Sequence, residues 1–390
     1  MKICMVLEML FPPIDGRPYR EAKSLIRNGH EVTLVCVRGE GQEEDDVIDG
    51  IRIRRVSSKA LPYFTYLSFG WPATAVVMSL RKERFDVFHI HNPPDALVLA
   101  SLHGKLFHGA RVVMDFHDPV IPGLEQHPER YNRKSFWAAR FWEMVSLRLS
   151  NKIIVVSDGS KDRLLAKGIP DSKITVLRNY VDLDIFDLDK ASPQTIRERY
   201  KLGDKRIILY TGTITPVRGL DVLIKSVAGL MQSRNNLALV IVGNESNYSH
   251  ELRSLAEKLG IGEDVLLLRW QPLEDIPNFM AAADACVLPR KYSYHTAITG
   301  NSNTLYQYMA MRKPIVATTL RSLTDFIDDS CAVLVPPDDP DAMANGLERI
   351  LDDSTFAARI SERAYVRAIQ EYNWGMEEGK LLQLYSDIRK

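Results

Sequence analysis

Short apolar runs alternate with stretches of helical period along most of the chain. Lys2 to Leu7, Glu31 to Val37, Ile51 to Val56, Val87 to His91, Arg111 to Phe116, Lys152 to Val156 and Ile174 to Arg178 read as strands. A helix whose apolar face includes Ala22, Leu25 and Ile26 follows the first of them and ends at Asn28-Gly29. The second half repeats the pattern at Ile207 to Thr211, Leu237 to Val242, Val265 to Arg269, Ala285 to Leu288, Pro314 to Thr318 and Ala332 to Val335. This alternation predicts an α/β chain of two doubly wound, Rossmann-like domains facing each other across a cleft. Periodicity lapses between Asn179 and Lys190, which places the linker there. The expected domains are therefore 1–185 and 186–372. A terminal helix over 373–390, after the break at Tyr372-Asn-Trp374, is expected to turn back onto the first domain.

Composition narrows the function classes. The 390 residues carry 50 basic and 50 acidic side chains, a formal net charge of zero, which argues against a generally basic nucleic-acid binder. Cys4, Cys36, Cys286 and Cys331 are far apart, lie in apolar runs and form no CxxC pair, so buried thiols in a reducing compartment are expected. The opening Met1 to Leu7 is too short for a signal sequence, and no run is long enough to span a membrane. A cytoplasmic protein is expected, with docking of a surface helix at the inner face of the membrane as the alternative.

Two stretches stand out for chemistry. Tyr210-Thr-Gly-Thr-Ile-Thr-Pro-Val-Arg-Gly-Leu220 runs from a strand into a helix, and Gly300-Asn-Ser-Asn-Thr-Leu-Tyr-Gln-Tyr-Met-Ala310 runs from small polar residues into another. Unpaired N–H groups at such helix starts attract anions, and Arg218 is placed to add a forked cation. Either stretch alone is better explained by a solvated turn or an ordinary helix cap. Together, at corresponding strand exits, they outline two halves of one phosphate cradle. His89, His91 and His117 fall at or after strand ends in the first half. His89 and His91 invite a metal reading, but no nearby Asp, Glu or Cys set completes a site, so none is expected. His117, in Asp115-Phe-His-Asp118, is open to two readings, a loop histidine held by Asp118 or a polar group aimed at a substrate hydroxyl.

The chain resembles the GT-B glycosyltransferases, specifically the large retaining group of glycosyltransferase family 4. The likeness runs nearly end to end. It is carried by Asp15-Gly-Arg-Pro-Tyr-Arg-Glu-Ala22, Asn28-Gly-His-Glu-Val32, Asp86-Val-Phe-His-Ile-His91 and Asp115-Phe-His-Asp118 in the first half. In the second it is carried by Tyr210-Thr-Gly212 with Arg218-Gly219, Val240-Ile-Val-Gly243 and Tyr308-Met-Ala-Met-Arg-Lys-Pro-Ile-Val-Ala317. The resemblance implies a nucleotide-sugar donor bound mainly by the second domain and an acceptor bound mainly by the first. A UDP-sugar is expected ahead of a GDP-sugar, with no cofactor and no metal. His117 and Arg218 take the catalytic places, beside the transferred sugar and the diphosphate. The donor-binding places fall to Gly16, Gly212, Thr213, Trp270, Gln271, Asn303, Thr304, Leu305 and Gln307. Among them, Trp270 and Gln271 line the base, Asn303 to Leu305 present N–H groups to phosphate, and Gln307 holds the ribose.

The sequence departs from the family pattern at several of these places. Thr299 and Gln307 stand where an acidic pair is usual, Thr213 where many members carry a second cation, and Asp15-Gly16 where a double glycine is usual. A retaining sugar transfer to a glycan, lipid-linked or small-molecule acceptor is the expected activity. A non-catalytic nucleotide-sugar-binding or scaffold subunit of the same fold is the alternative, and a sugar epimerase or phosphorylase a more distant one. For the acceptor side, Tyr63, Phe64, Tyr66, Phe69 and Trp71, with the mixed basic and aromatic stretch Arg133 to Arg148, fit core packing with a charged face or a peripheral membrane contact.

Overall fold

The computed structural model describes residues 1–11, 16–57, 70–117, 133–293 and 302–389. They divide into two compact units, Met1–Arg178 with Glu377–Lys390, and Asn179–Met376.

The first unit is built on eight strands: β1 Lys2–Leu10, β2 Glu31–Val37, β3 Asp45–Ile48, β4 Ile51–Val56, β5 Val87–His91, β6 Arg111–Phe116, β7 Lys152–Val155 and β8 Ile174–Val176. Their order across the sheet is β3-β4-β2-β1-β5-β6-β7-β8. All neighbours are parallel except β3 and β4. The central strands β1, β2, β5 and β6 run buried without alternation because helices cover both faces, with Ile3, Met5, Leu34, Val112 and Met114 fully buried, whereas β4, next to the edge, alternates buried Ile51 and Ile53 with Arg52 and Arg54. Edge strand β3 escapes the sequence reading. Its Asp-Asp-Val-Ile is short, acidic and solvent-facing, the composition that keeps an edge from pairing with another chain. The helix Trp374–Arg389 buries Leu381, Leu384, Tyr385 and Ile388, one stripe at helical spacing.

The second unit carries β9 Arg206–Thr211, β10 Leu237–Val242, β11 Val265–Leu268, β12 Ala285–Leu288, β13 Ile315–Thr318 and β14 Val333–Val335. They pair in parallel in the order β11-β10-β9-β12-β13-β14. This is the doubly wound order in which the chain reverses its direction of winding between the first and fourth strands, here β9 and β12. The crevice outside the carboxyl ends of those two strands is where such sheets take ligands. In the first unit the corresponding reversal lies between β1 and β5, so the segments after Leu10 and His91 flank it. The four cysteines are free and buried.

Candidate active site

At the first reversal point a buried polar cluster gathers around β5 and β6. Gly16, with φ +56°, starts the helix Arg17–Arg27, whose first two turns deliver Arg17 and Glu21. Alternation along β5 puts His89 and His91 on one face, ring centroids 4.3 Å apart and stacked. Arg17 grips Asp115 at the end of β6 by Nη2 at 3.0 and 3.1 Å, and its Nη1 donates to the Leu177 carbonyl at 2.9 Å. Its Nε lies 3.1 Å from Glu21, and Arg17, Glu21 and Asp115 are all fully buried. Tyr385, from the C-terminal helix, closes the cluster with its hydroxyl 2.9 Å from His89 Nδ1.

His117 is held by this cluster. Its Nε2 lies 2.8 Å from His91 Nδ1 and 3.3 Å from Asp115 Oδ2, and its backbone N–H donates to Asn92 Oδ1 at 2.7 Å. Asp118, the partner the sequence offered for it, lies outside the described residues. Burial pushes the Asp115 carboxyl up, but Arg17 and His117 outweigh it and hold the group well below its ordinary range. Burial, then the neighbouring His89 and His117, drives His91 well below the ordinary histidine range. Burial, then Asp115, raises Glu21. Asp115 is thus the ionised acceptor and His91 is neutral. The network assigns the proton to His117 Nε2, shared between Asp115 and His91 Nδ1, with the His91 proton on Nε2.

The expectation that no carboxylate accompanies the histidines is therefore corrected. Glu21 and Asp115, distant in sequence, join His89 and His91 with ligand atoms within 4.8 Å of one another. A cation is nevertheless a poor fit, because the Arg17 guanidinium already lies on both carboxylates. A second positive charge beside it in a dry interior meets repulsion that Asp115 alone does not offset.

At the reversal point of the second unit, β9 ends in Thr211 and passes through Gly212 (φ +146°) and the exposed Thr213 to the turn Pro216–Arg218. Arg218 Nε donates to Thr213 Oγ1 at 3.1 Å. Gly219 (φ +70°) opens the helix Leu220–Met231 and lies so close to the segment after β12 that a Cβ would sit 1.8 Å from the Pro289 carbonyl oxygen. The Lys291 N–H donates to the Val217 carbonyl at 2.9 Å, so the turn bearing Arg218 and the exit of β12 are laced together. The helix Asn303–Ala310 is bolted to the same strand end: Tyr308 Oη accepts from Thr211 N at 2.8 Å, and Thr304 Oγ1 donates to the Thr211 carbonyl at 3.3 Å. Ser302 caps it, its Oγ accepting from Leu305 N at 3.3 Å and from Arg290 Nη2 at 2.8 Å.

Gly212, Thr213, Arg218, Asn303, Thr304 and Leu305 are thus brought to one end of the sheet. Leu305 is fully buried and its N–H is taken by Ser302, which leaves the N–H groups of Asn303 and Thr304 at the helix start. Gln307 is half-buried one turn on. Trp270 is 37% exposed after β11, and Gln271 Nε2 donates to the Arg269 carbonyl at 2.9 Å. Thr299 and Asp15 lie outside the described residues. Sequence reasoning missed Arg290, Arg17, Glu21 and Asp115 as partners in either site. One signal for Arg290 was present, since no Asp or Glu occurs from Ala285 to Thr324.

Comparison with known proteins fits both units. Residues 19–185 match Glycosyltransferase Family 4, and residues 192–367 match Glycosyl transferases group 1. An uncharacterized glycosyltransferase of Methanocaldococcus jannaschii is 27% identical, over 96% of this chain and 95% of its own length. The GDP-mannose-dependent alpha-(1-6)-phosphatidylinositol monomannoside mannosyltransferase of Mycolicibacterium smegmatis is also 27% identical, over 97% of each chain. A solved structure of HepE from Anabaena in complex with UDP and glucose superposes with a TM-score of 0.76 at 17% identity, covering 99% of this chain and 100% of that one. The chain belongs to the GT-B glycosyltransferases, with the family 4 pattern in its first half and the group 1 pattern in its second.

Proposed function

We propose that this glycosyltransferase moves a sugar from a nucleoside-diphosphate sugar to a glycan, lipid-linked or small-molecule acceptor, with retention at the anomeric carbon and without a metal ion. The observation that carries the reading is the carbonyl-end crevice of the second sheet. There the turn bearing Arg218 is tied to the exit of β12, and the helix Asn303–Ala310, within a stretch from Ala285 to Thr324 that holds no Asp or Glu, is tied to the end of β9. Departure of the sugar leaves negative charge on the diphosphate, and preorganised donors aimed at that charge lower the barrier without reorganising. In this assignment Arg218 and the N–H groups of Asn303 and Thr304 receive the diphosphate, and Gln307 the ribose. Trp270 and Gln271 face the base, Gly212 and Thr213 shape the approach, and Gly16 and His117 serve the sugar. A UDP-sugar is proposed ahead of a GDP-sugar. The similar proteins include one bound to UDP and one named for GDP-mannose, and a nucleotide panel decides between them. Arg218→Ala should lower kcat by about 10²–10³, the usual loss when one preorganised donor is removed. A change of only a few-fold sinks the assignment.

Gln307 in place of the usual carboxylate favours one rival, a subunit that binds nucleotide sugar without turnover. Donor hydrolysis or transfer separates the two, because a binding subunit shows affinity alone.

The acceptor side also supports a peripheral contact with a membrane. The helix Arg133–Leu149 exposes Trp137, Phe141 and Met144 along one stripe, and the helix Leu102–His108 exposes Leu106 and Phe107; both pack against the turn Asp95–Ser101. No described helix is long and apolar enough to cross a membrane. Co-sedimentation with anionic vesicles at low salt is the expected result, and no binding removes this part of the proposal.

A further inference from the structure

The second unit contains a buried cation that folding alone does not explain. Arg290 follows β12 and is only 4% exposed, and its Nη2 donates to Ser302 Oγ at 2.8 Å. A buried guanidinium is ordinarily paired with a carboxylate. Among the described residues none pairs with Arg290 or with Arg218, and the eight undescribed residues between Ser293 and Ser302 contain no Asp or Glu. The neighbouring Lys291 shows the contrast, for its ammonium is matched by Asp221 at 2.9 Å and Asp338 at 3.3 Å.

Three unfavourable terms meet at Arg290. Its charge is taken out of water. It sits on the capping serine of the helix Asn303–Ala310, at the positive end of the helix dipole. It also shares the site with a second guanidinium, since the hydrogen bond from Lys291 N to Val217 O ties the residue after Arg290 to the residue before Arg218. Burial, then Arg218, pushes Arg290 down to about 9, so it remains mostly charged at neutral pH. An anion placed between the two guanidinium groups and the helix start relieves all three terms at once.

We propose that Arg290 is the second diphosphate-binding cation of the donor site, acting with Arg218 from the opposite side of the β9/β12 reversal point. This rests on reading that crevice as the nucleoside-diphosphate site. The exposed Thr213 instead accepts from Arg218 Nε, which orients the Arg218 fork. The positive charge is thus split between the two strand exits rather than carried on one turn.

The test is calorimetric titration of the whole chain with UDP, GDP, ADP and dTDP. It is followed by the monophosphate and nucleoside of the tightest base, on wild type, Arg290→Met, Arg290→Lys and Arg218→Ala. Arg290→Met should weaken the diphosphate by about ten- to hundredfold, the range for a hydrogen bond to a charged group, and leave the nucleoside unchanged. Arg290→Lys should recover part of the loss. Unliganded Arg290→Met should melt at or above the wild-type temperature, because an unpaired buried charge has gone. Diphosphate affinity within threefold of wild type in Arg290→Met, with Arg218→Ala weakened, overturns the role of Arg290 and leaves the donor site standing. If Arg290→Met does not fold, or melts below wild type, Arg290→Gln, which can still donate to Ser302 but carries no charge, takes its place, and diphosphate affinity within threefold of wild type in Arg290→Gln means that Arg290 only holds Ser302 and overturns the inference. No diphosphate binding by wild type overturns the donor site, and the inference falls with it.

Discussion

His91 Nδ1 lies 2.8 Å from His117 Nε2, and that contact fixes which face of the His117 ring carries its proton. With Asp115 ionised 3.3 Å away, the Nε2 proton is held inside the cluster. His91→Leu removes this restraint without touching the proposed substrate. We expect a loss of about 10² in kcat/KM, the scale of an ångström-sized misplacement, expressed mainly in kcat. His91→Asn, whose side-chain oxygen can accept in place of Nδ1, should recover much of it. Steady-state kinetics on folded variants checks both, and equal loss in the two assigns His91 to packing.

Arg17 and Asp115 should prove to be a pair whose separation costs more than its joint removal. Arg17→Met leaves a fully buried carboxylate without its guanidinium, and a loss of about 3–5 kcal/mol is expected. The double variant Arg17→Met with Asp115→Asn should be less destabilised than the sum of the singles. Chemical denaturation of the four proteins gives the coupling, and simple additivity contradicts the structure.

The cluster also sets a pH dependence. His91 is held below its ordinary 6.5, so the unfolded chain takes up a proton as pH falls below that value while the folded chain does not. Its contribution is complete above about pH 6.5 and is lost on acidification, at up to about 1.4 kcal/mol per pH unit for one proton. Asp115, held below its ordinary 3.8, extends the loss toward lower pH. Glu21 has the opposite sign. Raised above 4.5, it disfavours the folded state as pH rises above that value. His91→Asn should flatten the acid limb, and Glu21→Gln should gain most at neutral pH. Melting curves of wild type and both variants between pH 4 and 8 report both, and a His91→Asn curve parallel to wild type below pH 6.5 contradicts the assignment.

Gly219→Ala tests the lacing of the second site. The new methyl group would meet the Pro289 carbonyl at 1.8 Å on a backbone of φ +70°, so the Arg218 turn and the β12 exit must separate. Lower melting temperature together with weaker nucleotide binding is expected. Nucleotide affinity equal to wild type would show that the lacing does not position the site.

The two sheets were legible because most of their strands are apolar without alternation, the start of Ile51–Val56 alternates, and turn residues punctuate them. Even the short Ala285–Leu288 reads correctly. Asp45–Ile48 was not, since an acidic edge strand has no buried face to leave a pattern. Arg218 and Asn303 were visible as residues at a strand exit and a helix start, which are local signals. The Arg17–Glu21–His89–His91–Asp115–Tyr385 cluster was not visible, because it is assembled from a helix, two strands and the C-terminal helix, and no spacing links Tyr385 to His89. Arg290 fell between the cases. The acid-free stretch around it is in the sequence, but only its burial beside Ser302 shows that the charge is unpaired.

Ligand-dependent melting of the wild-type chain in EDTA is the decisive measurement for a metal-independent nucleoside-diphosphate site at the β9/β12 reversal point. UDP, GDP, ADP and dTDP and their common sugars form the panel. A ligand at 100 times its Kd adds about 2.7 kcal/mol, enough to raise the melting temperature by several degrees. One base should stand out, with a shift that survives the chelator. No shift with any nucleotide, or a shift that appears only when a divalent cation is restored, rules the proposed site out.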